Sequence, residues 1–131
     1  MIYKKLKSYL LRKQLETAVN LSNKEMGDKG EIFASLILEI KGYRIIGRNL
    51  KIAGGEIDIL AVKDEDLYVF EVKLRTSDKF GNASESITKK KKKKLNKITN
   101  LMSDKRYKTI QLKLFAIDIK SGKLYYDIID V

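Results

Sequence analysis

The stretch Gly55-Glu56-Ile57-Asp58-Ile59-Leu60-Ala61-Val62 decides how the chain is read, together with Leu67-Tyr68-Val69-Phe70-Glu71-Val72-Lys73-Leu74-Arg75 across the polar loop 63–66. Both runs are rich in β-branched and aromatic residues and are bounded by turn formers, the signature of an antiparallel hairpin. If Val62 pairs with Leu67, counting back along the ladder sets Leu60 against Val69, Asp58 against Glu71 and Glu56 against Lys73 on one face. The other face then carries Ile57 against Val72, Ile59 against Phe70 and Ala61 against Tyr68. Apart from the charged end both faces are apolar, so the hairpin belongs inside a sheet covered on both sides.

Two carboxylates opposed at the end of a buried ladder repel each other and are costly to desolvate. A divalent cation between Asp58 and Glu71 removes both costs, because Mg²⁺ favours one or two carboxylates plus waters and phosphate oxygens. Lys73, two residues beyond Glu71 on the same face, is then placed to orient or deprotonate an attacking water, or to stabilise a pentavalent phosphate. The structural alternative is an ion network in which Glu56 and Asp58 pair with Lys73. The apolar surroundings alone leave the two readings balanced.

Outward from the hairpin, residues 3–21 are basic and helix-prone, with Leu6, Leu10, Leu11, Leu15, Ala18 and Val19 in an imperfect stripe. They fit either a packed helix or a mobile basic arm. Ser22-Asn23 interrupts the pattern. A second helix is predicted from Asp28 to Lys41, stopped by Gly42 and packed on two sides. Asp28 and Glu31 also fit a capping box there, an alternative use for Glu31. Strands are expected at 43–50, 56–62 and 67–74, a long helix at 84–102, and a last hairpin of 111–119 and 124–129 around Ser121-Gly122. Along the long helix, Lys91 and Lys94 fall on the packing stripe with Ile87, Leu95 and Ile98, while Lys89, Lys92 and Lys93 point away. The inward lysines either snorkel at the core edge or reach a phosphate near the carboxylates. The outward ones suit general phosphate contacts.

The 131 residues suffice for one buried core, and the 44% apolar and 34% charged content is that of a globular chain. Cysteine and histidine are both absent. That excludes disulfides, thiolate or imidazole metal sites and every His-based triad, leaving carboxylates, lysine and a hard metal ion for any hydrolysis. The 28 basic and 17 acidic residues give a net charge of +11, a bias toward polyanions. No apolar run has the roughly 20 residues of a membrane span and no signal-peptide pattern appears. A cytoplasmic protein meeting nucleic acid is expected.

The two strings of the hairpin, with Gly30-Glu31, Ala34, Gly42-Tyr43, Asn49, Phe80-Gly81 and Ser86-Ile87-Thr88 followed by Lys91 and Lys94, resemble the YraN-like family of uncharacterised bacterial proteins. The likeness runs from about residue 27 to 131. That family is similar to archaeal Holliday-junction resolvases and the PD-(D/E)XK nucleases. The resemblance implies an α/β restriction-endonuclease-like core of order α-β-β-β-α-β-β over residues 23–131, a central mixed sheet flanked by helices, and an extra basic N-terminal helix over 1–22. By the same likeness, Asp58 is the motif aspartate, Glu71 and Lys73 are the Glu-x-Lys pair, and Glu31 is the helix glutamate. Asp58, Glu71 and Glu31 would bind Mg²⁺ or Mn²⁺, all four residues would act in catalysis, and Lys91, Lys92, Lys93, Lys94 and Arg75 would contact nucleic acid. Two departures stand out: no proline precedes Asp58, and the family's Arg-Phe-Asp near the C-terminal strand is replaced by Leu114-Phe115-Ala116. The expectation is a metal-dependent endonuclease acting on DNA rather than RNA, on branched or structured DNA in particular. The alternative is a non-catalytic nucleic-acid-binding protein of the same fold. A homodimer is compatible with either, and a weaker third reading is a basic protein whose N-terminal helix meets ribosomes or membrane surfaces.

Overall fold

A computed structural model describes residues 2–18, 20–52, 55–76 and 106–131, with Lys89, Lys92, Lys93, Asn96, Lys97 and Asn100 between them. The elements are α1 (Ile2–Glu16), α2 (Asn23–Ile40), β1 (Arg44–Ile52), β2 (Gly55–Lys63), β3 (Asp66–Arg75), β4 (Thr109–Lys120) and β5 (Lys123–Asp130). The strands form one sheet in the order β1-β2-β3-β4-β5. All neighbours are antiparallel except β3 and β4, which run parallel. The architecture is α/β with a mixed sheet and an extra N-terminal helix, as the hairpin and its resemblance implied.

α2 begins five residues earlier than its periodicity suggests. Ser22 is the N-cap, its side chain accepting the Glu25 N–H at 3.1 Å while Glu25 Oε1 accepts the Ser22 N–H at 3.3 Å. The capping box that Asp28 and Glu31 also fitted is therefore made by Ser22 and Glu25, and the cap reading of Glu31 is corrected: Glu31 follows Gly30 in the third turn, well inside the helix. Replacing Ser22 with alanine should cost about 1 kcal/mol in urea unfolding, the usual worth of such a cap. An unchanged midpoint would show that the box contributes nothing. At the other end Tyr43 N–H donates to Leu38 O and Gly42 N–H to Glu39 O, with Gly42 at φ +96°, the glycine stop that the sequence called for.

α1 is a packed helix rather than a mobile arm, and it ends at Glu16 rather than near residue 21. Leu11 and Leu15 are buried in the same cluster as Phe33, Leu38, Ile59, Phe70, Phe115 and Ile117. Arg12 Nη2 donates to Leu124 O at 3.3 Å, and Glu16 Oε2 accepts the Leu124 N–H at 2.7 Å, which holds its pKa below the usual carboxylate value. α2 therefore packs against one face of the sheet and against α1, which also touches β5. The opposite face carries a second cluster of Ile57, Leu60, Val62, Leu67 and Val69, with Ile110 and Leu112 against it. The β4–β5 hairpin turns through Ser121 (φ +51°) and Gly122 (φ +72°), closed by Lys120 opposite Lys123. Two consecutive positive φ values match the right-handed twist of the strands.

Candidate functional site

The hairpin register agrees with the count from Lys63↔Asp66 as far as Ile59↔Phe70, and the ladder stops there. Asp58 does not pair with Glu71 through the backbone, nor Glu56 with Lys73. Instead the Asp58 carboxylate occupies the fork between the strands, its Oδ2 accepting the Val72 N–H at 2.8 Å. The alternation slips at the same point. Ile57 joins Leu60 and Val62 on the sheet face away from α2, whereas Val72 packs on the α2 side, so Ile57 does not face Val72. Opposite this point on β1, Asn49 adopts φ +51° between Arg48↔Ile59 and Leu50↔Ile57. Asparagine tolerates this left-handed conformation better than most residues.

Glu31 reaches this fork from above. Gly30 and Ala34 let α2 lie close on the sheet: a Cβ at Gly30 would come within 3.1 Å of Leu74 Cδ1, and Ala34 is fully buried. The next side chain, Glu31, is thereby lowered to the level of Asp58 and Asn49, both within hydrogen-bonding reach of its carboxyl. Burial, and then the negative charge of Asp58, push the Glu31 pKa up from 4.5 to about 7. The Asn49 hydrogen bond and the Arg48 charge pull the other way and are outweighed. Near neutrality this pair holds its second charge only partly, so the site favours a proton or a cation.

Glu71 and Lys73 alternate with Val72 on β3 and so share the face away from α2 with Val69. Glu71 is 5% exposed, the one buried carboxylate among the described residues, and Lys73 is half-buried. In the parallel register Glu71 lies beside Leu114 and Lys73 beside Ala116, which form a small apolar cluster with Ile129 and Val131. The Leu114-Phe115-Ala116 departure thus puts an apolar wall against the Glu-x-Lys pair, which strengthens the fields of both charges. Among the described residues no three carboxylates gather within reach of one ion. What is brought together is the pair Glu31–Asp58, with Glu71 one residue from the amide that Asp58 holds.

Lys89, Lys92 and Lys93 are helical and exposed, pointing outward as their phase predicted, and Lys97 continues their row. Lys91 and Lys94 lie outside the described residues. Arg75 is half-buried beside a groove of about 540 Å³ lined also by Asn23, Met26, Leu74 and Thr76. Arg48 was missed in the sequence, where nothing distinguishes it from other exposed arginines. Asn49 was visible only as part of a resemblance, and its conformation now gives it a role.

The sequence profile of the uncharacterised protein family UPF0102 matches residues 30–131. A UPF0102 protein of Dictyoglomus thermophilum is 37% identical over 108 residues, covering 79% of this chain and 92% of that protein. A UPF0102 protein of Carboxydothermus hydrogenoformans is 44% identical over 77 residues, 59% of this chain and 65% of that protein. One of Clostridium perfringens is 44% identical over 73 residues, 56% of this chain and 60% of that protein. The chain thus spans somewhat less than two thirds of the length of the latter two relatives. With the family profile covering residues 30–131, and with a relative 37% identical over most of both chains, the chain belongs to the uncharacterised protein family UPF0102, the YraN-like family that its motifs resemble.

Proposed function

We propose that this protein is a metal-dependent nuclease that hydrolyses phosphodiester bonds of DNA, with branched or structured DNA as its substrate class. The observation that carries the reading is the Glu31–Asp58 pair, two hard oxygen donors held together in a poorly solvated fork at the expense of Glu31 ionisation. Such a pair fits Mg²⁺ or Mn²⁺, which take one or two carboxylates and fill the remaining positions with water and phosphate oxygens. In this reading Asp58 and Glu31 hold the ion, water and phosphate oxygens complete its shell, and Glu71 acts from the neighbouring position on β3, one residue from the amide that Asp58 holds. When bound, the ion polarises the scissile phosphate and activates a water. The Val72 N–H keeps Asp58 aimed into the fork. Lys73 orients the attacking water or neutralises charge growing on the phosphate, and its half-buried setting beside Ala116 keeps that charge poorly screened. The exposed Lys89, Lys92, Lys93 and Lys97, with Arg75, contact phosphates without reading sequence.

The test is a cleavage assay on linear, flapped and four-way DNA with Mn²⁺, comparing wild type with Asp58→Ala. Cleavage of a structured substrate by wild type and its loss in the variant is the expected result. A second reading, a nucleic-acid-binding protein that does not cut, is favoured by the absence of a three-carboxylate cluster among the described residues. Tight binding of the same substrates with no cleavage at any Mn²⁺ concentration would establish that reading in place of the first.

A further inference from the structure

Neither the core nor the fork makes use of the outer face of α1. The helix buries Ser8, Leu11 and Leu15 on one side. On the other it exposes Ile2, Tyr3, Leu6, Tyr9 and Leu10, at 85%, 71%, 56%, 54% and 52%. At about 100° per residue these five fall in one sector roughly 120° wide, nearly opposite the buried stripe. Lys5 and Lys7 flank that sector, Lys13 closes its C-terminal end one turn beyond Tyr9 and Leu10, and all three are exposed. Lys13 lies 5.4 Å from the Tyr9 ring and 3.5 Å from Glu16. Lys4 is engaged elsewhere, 2.7 Å from Glu39. The single carboxylate of α1, Glu16, is turned inward onto the Leu124 N–H. The outward face is therefore apolar in the middle, cationic at its margins, and bears no acidic side chain that is free of the core.

We propose that this face docks on the surface of an anionic lipid bilayer. Ile2, Leu6 and Leu10 enter the boundary between headgroups and acyl chains, Tyr3 and Tyr9 sit at headgroup level with their hydroxyls in water, and Lys5, Lys7 and Lys13 meet lipid phosphates. Charge decides between this occupant and the others. A second copy laid on the same face brings lysine against lysine with no carboxylate to offset them. A nucleic acid backbone satisfies the lysines and leaves the aliphatic stripe without a use. A helix of 15 residues lies along the surface, and no helix among the described residues is long and apolar enough to cross. The face lies outside the region matched by the family profile and is independent of the nuclease reading.

Co-sedimentation of the full chain with vesicles tests the proposal, using one-third phosphatidylglycerol in phosphatidylcholine against phosphatidylcholine alone. Wild type should bind the anionic vesicles at least about tenfold more tightly than the neutral ones, and Leu6→Gln/Leu10→Gln should lose at least about tenfold of that affinity. Both positions are exposed, so the variant should keep its unfolding temperature and its affinity for duplex DNA. Lys5→Gln/Lys7→Gln should lose the preference for phosphatidylglycerol, which keeps the proposal testable if the leucine variant misfolds. Undiminished vesicle binding by the leucine variant would overturn the proposal, since it would reduce the effect to charge alone. So would a wild type that ignores vesicles but forms a concentration-dependent dimer abolished by the same substitutions, since a second copy would then cover the face.

Discussion

Replacing Lys73 with methionine should lower DNA cleavage by about 10²- to 10⁴-fold, the range typical for loss of a group acting on a proton in the transition state, while Mn²⁺ binding is unchanged or tighter. Methionine keeps the length of the stem that packs beside Ala116, so the half-buried position is filled and the fold retained. Only the ammonium is lost. Its removal takes a positive charge away from the fork, which cannot weaken attraction for a cation. Cleavage kinetics and the Mn²⁺-induced rise in melting temperature separate the two effects, because a ligand that binds only the native state stabilises by mass action. Equal cleavage by Lys73→Met and wild type would leave this lysine a structural cation and remove it from the mechanism.

The metal-free protein should lose stability as the pH is raised from about 5 to about 8, and Glu31→Gln should abolish most of that loss. The folded pKa of Glu31, about 7, exceeds its ordinary 4.5. Below 4.5 both folded and unfolded forms carry the proton, and the contribution is fully present. Between 4.5 and 7 the unfolded chain releases its proton while the folded one retains it, so the equilibrium shifts toward unfolding until the folded carboxyl ionises as well. The whole difference corresponds to about 3 kcal/mol at about 1.4 kcal/mol per unit. Glu31 is partly exposed, and solvent screening leaves on the order of 1–2 kcal/mol. Glutamine has nothing to titrate and keeps a side chain able to bond Asn49. Urea midpoints across that pH range decide the matter: parallel slopes for wild type and Glu31→Gln would show that the titrating group is elsewhere. With Mn²⁺ present the wild-type trend should weaken or reverse, since the metal binds the deprotonated carboxyl and its affinity rises through the same pH window.

Much of the sheet was legible because its signals are local. Ser121-Gly122 announces a tight turn, and the apolar alternation of 59–62 against 67–70 sets both register and burial. The same logic failed one residue further, at Asp58, where the ladder ends and the alternation slips, because a strict period of two assumes that the pairing continues. The start of α2 was hidden for a different reason. Gly27, Asp28 and Gly30 resemble a helix beginning, yet Gly30 is there to let the helix approach Leu74 and Ile117. Propensity favours a boundary at that point, but the helix starts at the Ser22-x-x-Glu25 capping box, and Gly30 is kept for packing. The partnership of Glu31 with Asp58 follows from this approach, so it too was out of reach of spacing alone.

The kink at Asn49 has a second consequence, for aggregation. β1 is an edge of the sheet, and a long, flat edge is a template for another chain to add a strand. Here the edge is interrupted twice, by the register shift between Ile45 and Gly47 and by the left-handed Asn49, and it carries exposed Arg44, Arg48 and Lys51. At the other edge β5 presents Lys123, Asp127 and Asp130 to solvent. Interruptions and charges of this kind deny an incoming strand a continuous row of amides and carbonyls. Asn49, within hydrogen-bonding reach of Glu31, thereby also helps keep the sheet from growing by edge-to-edge addition.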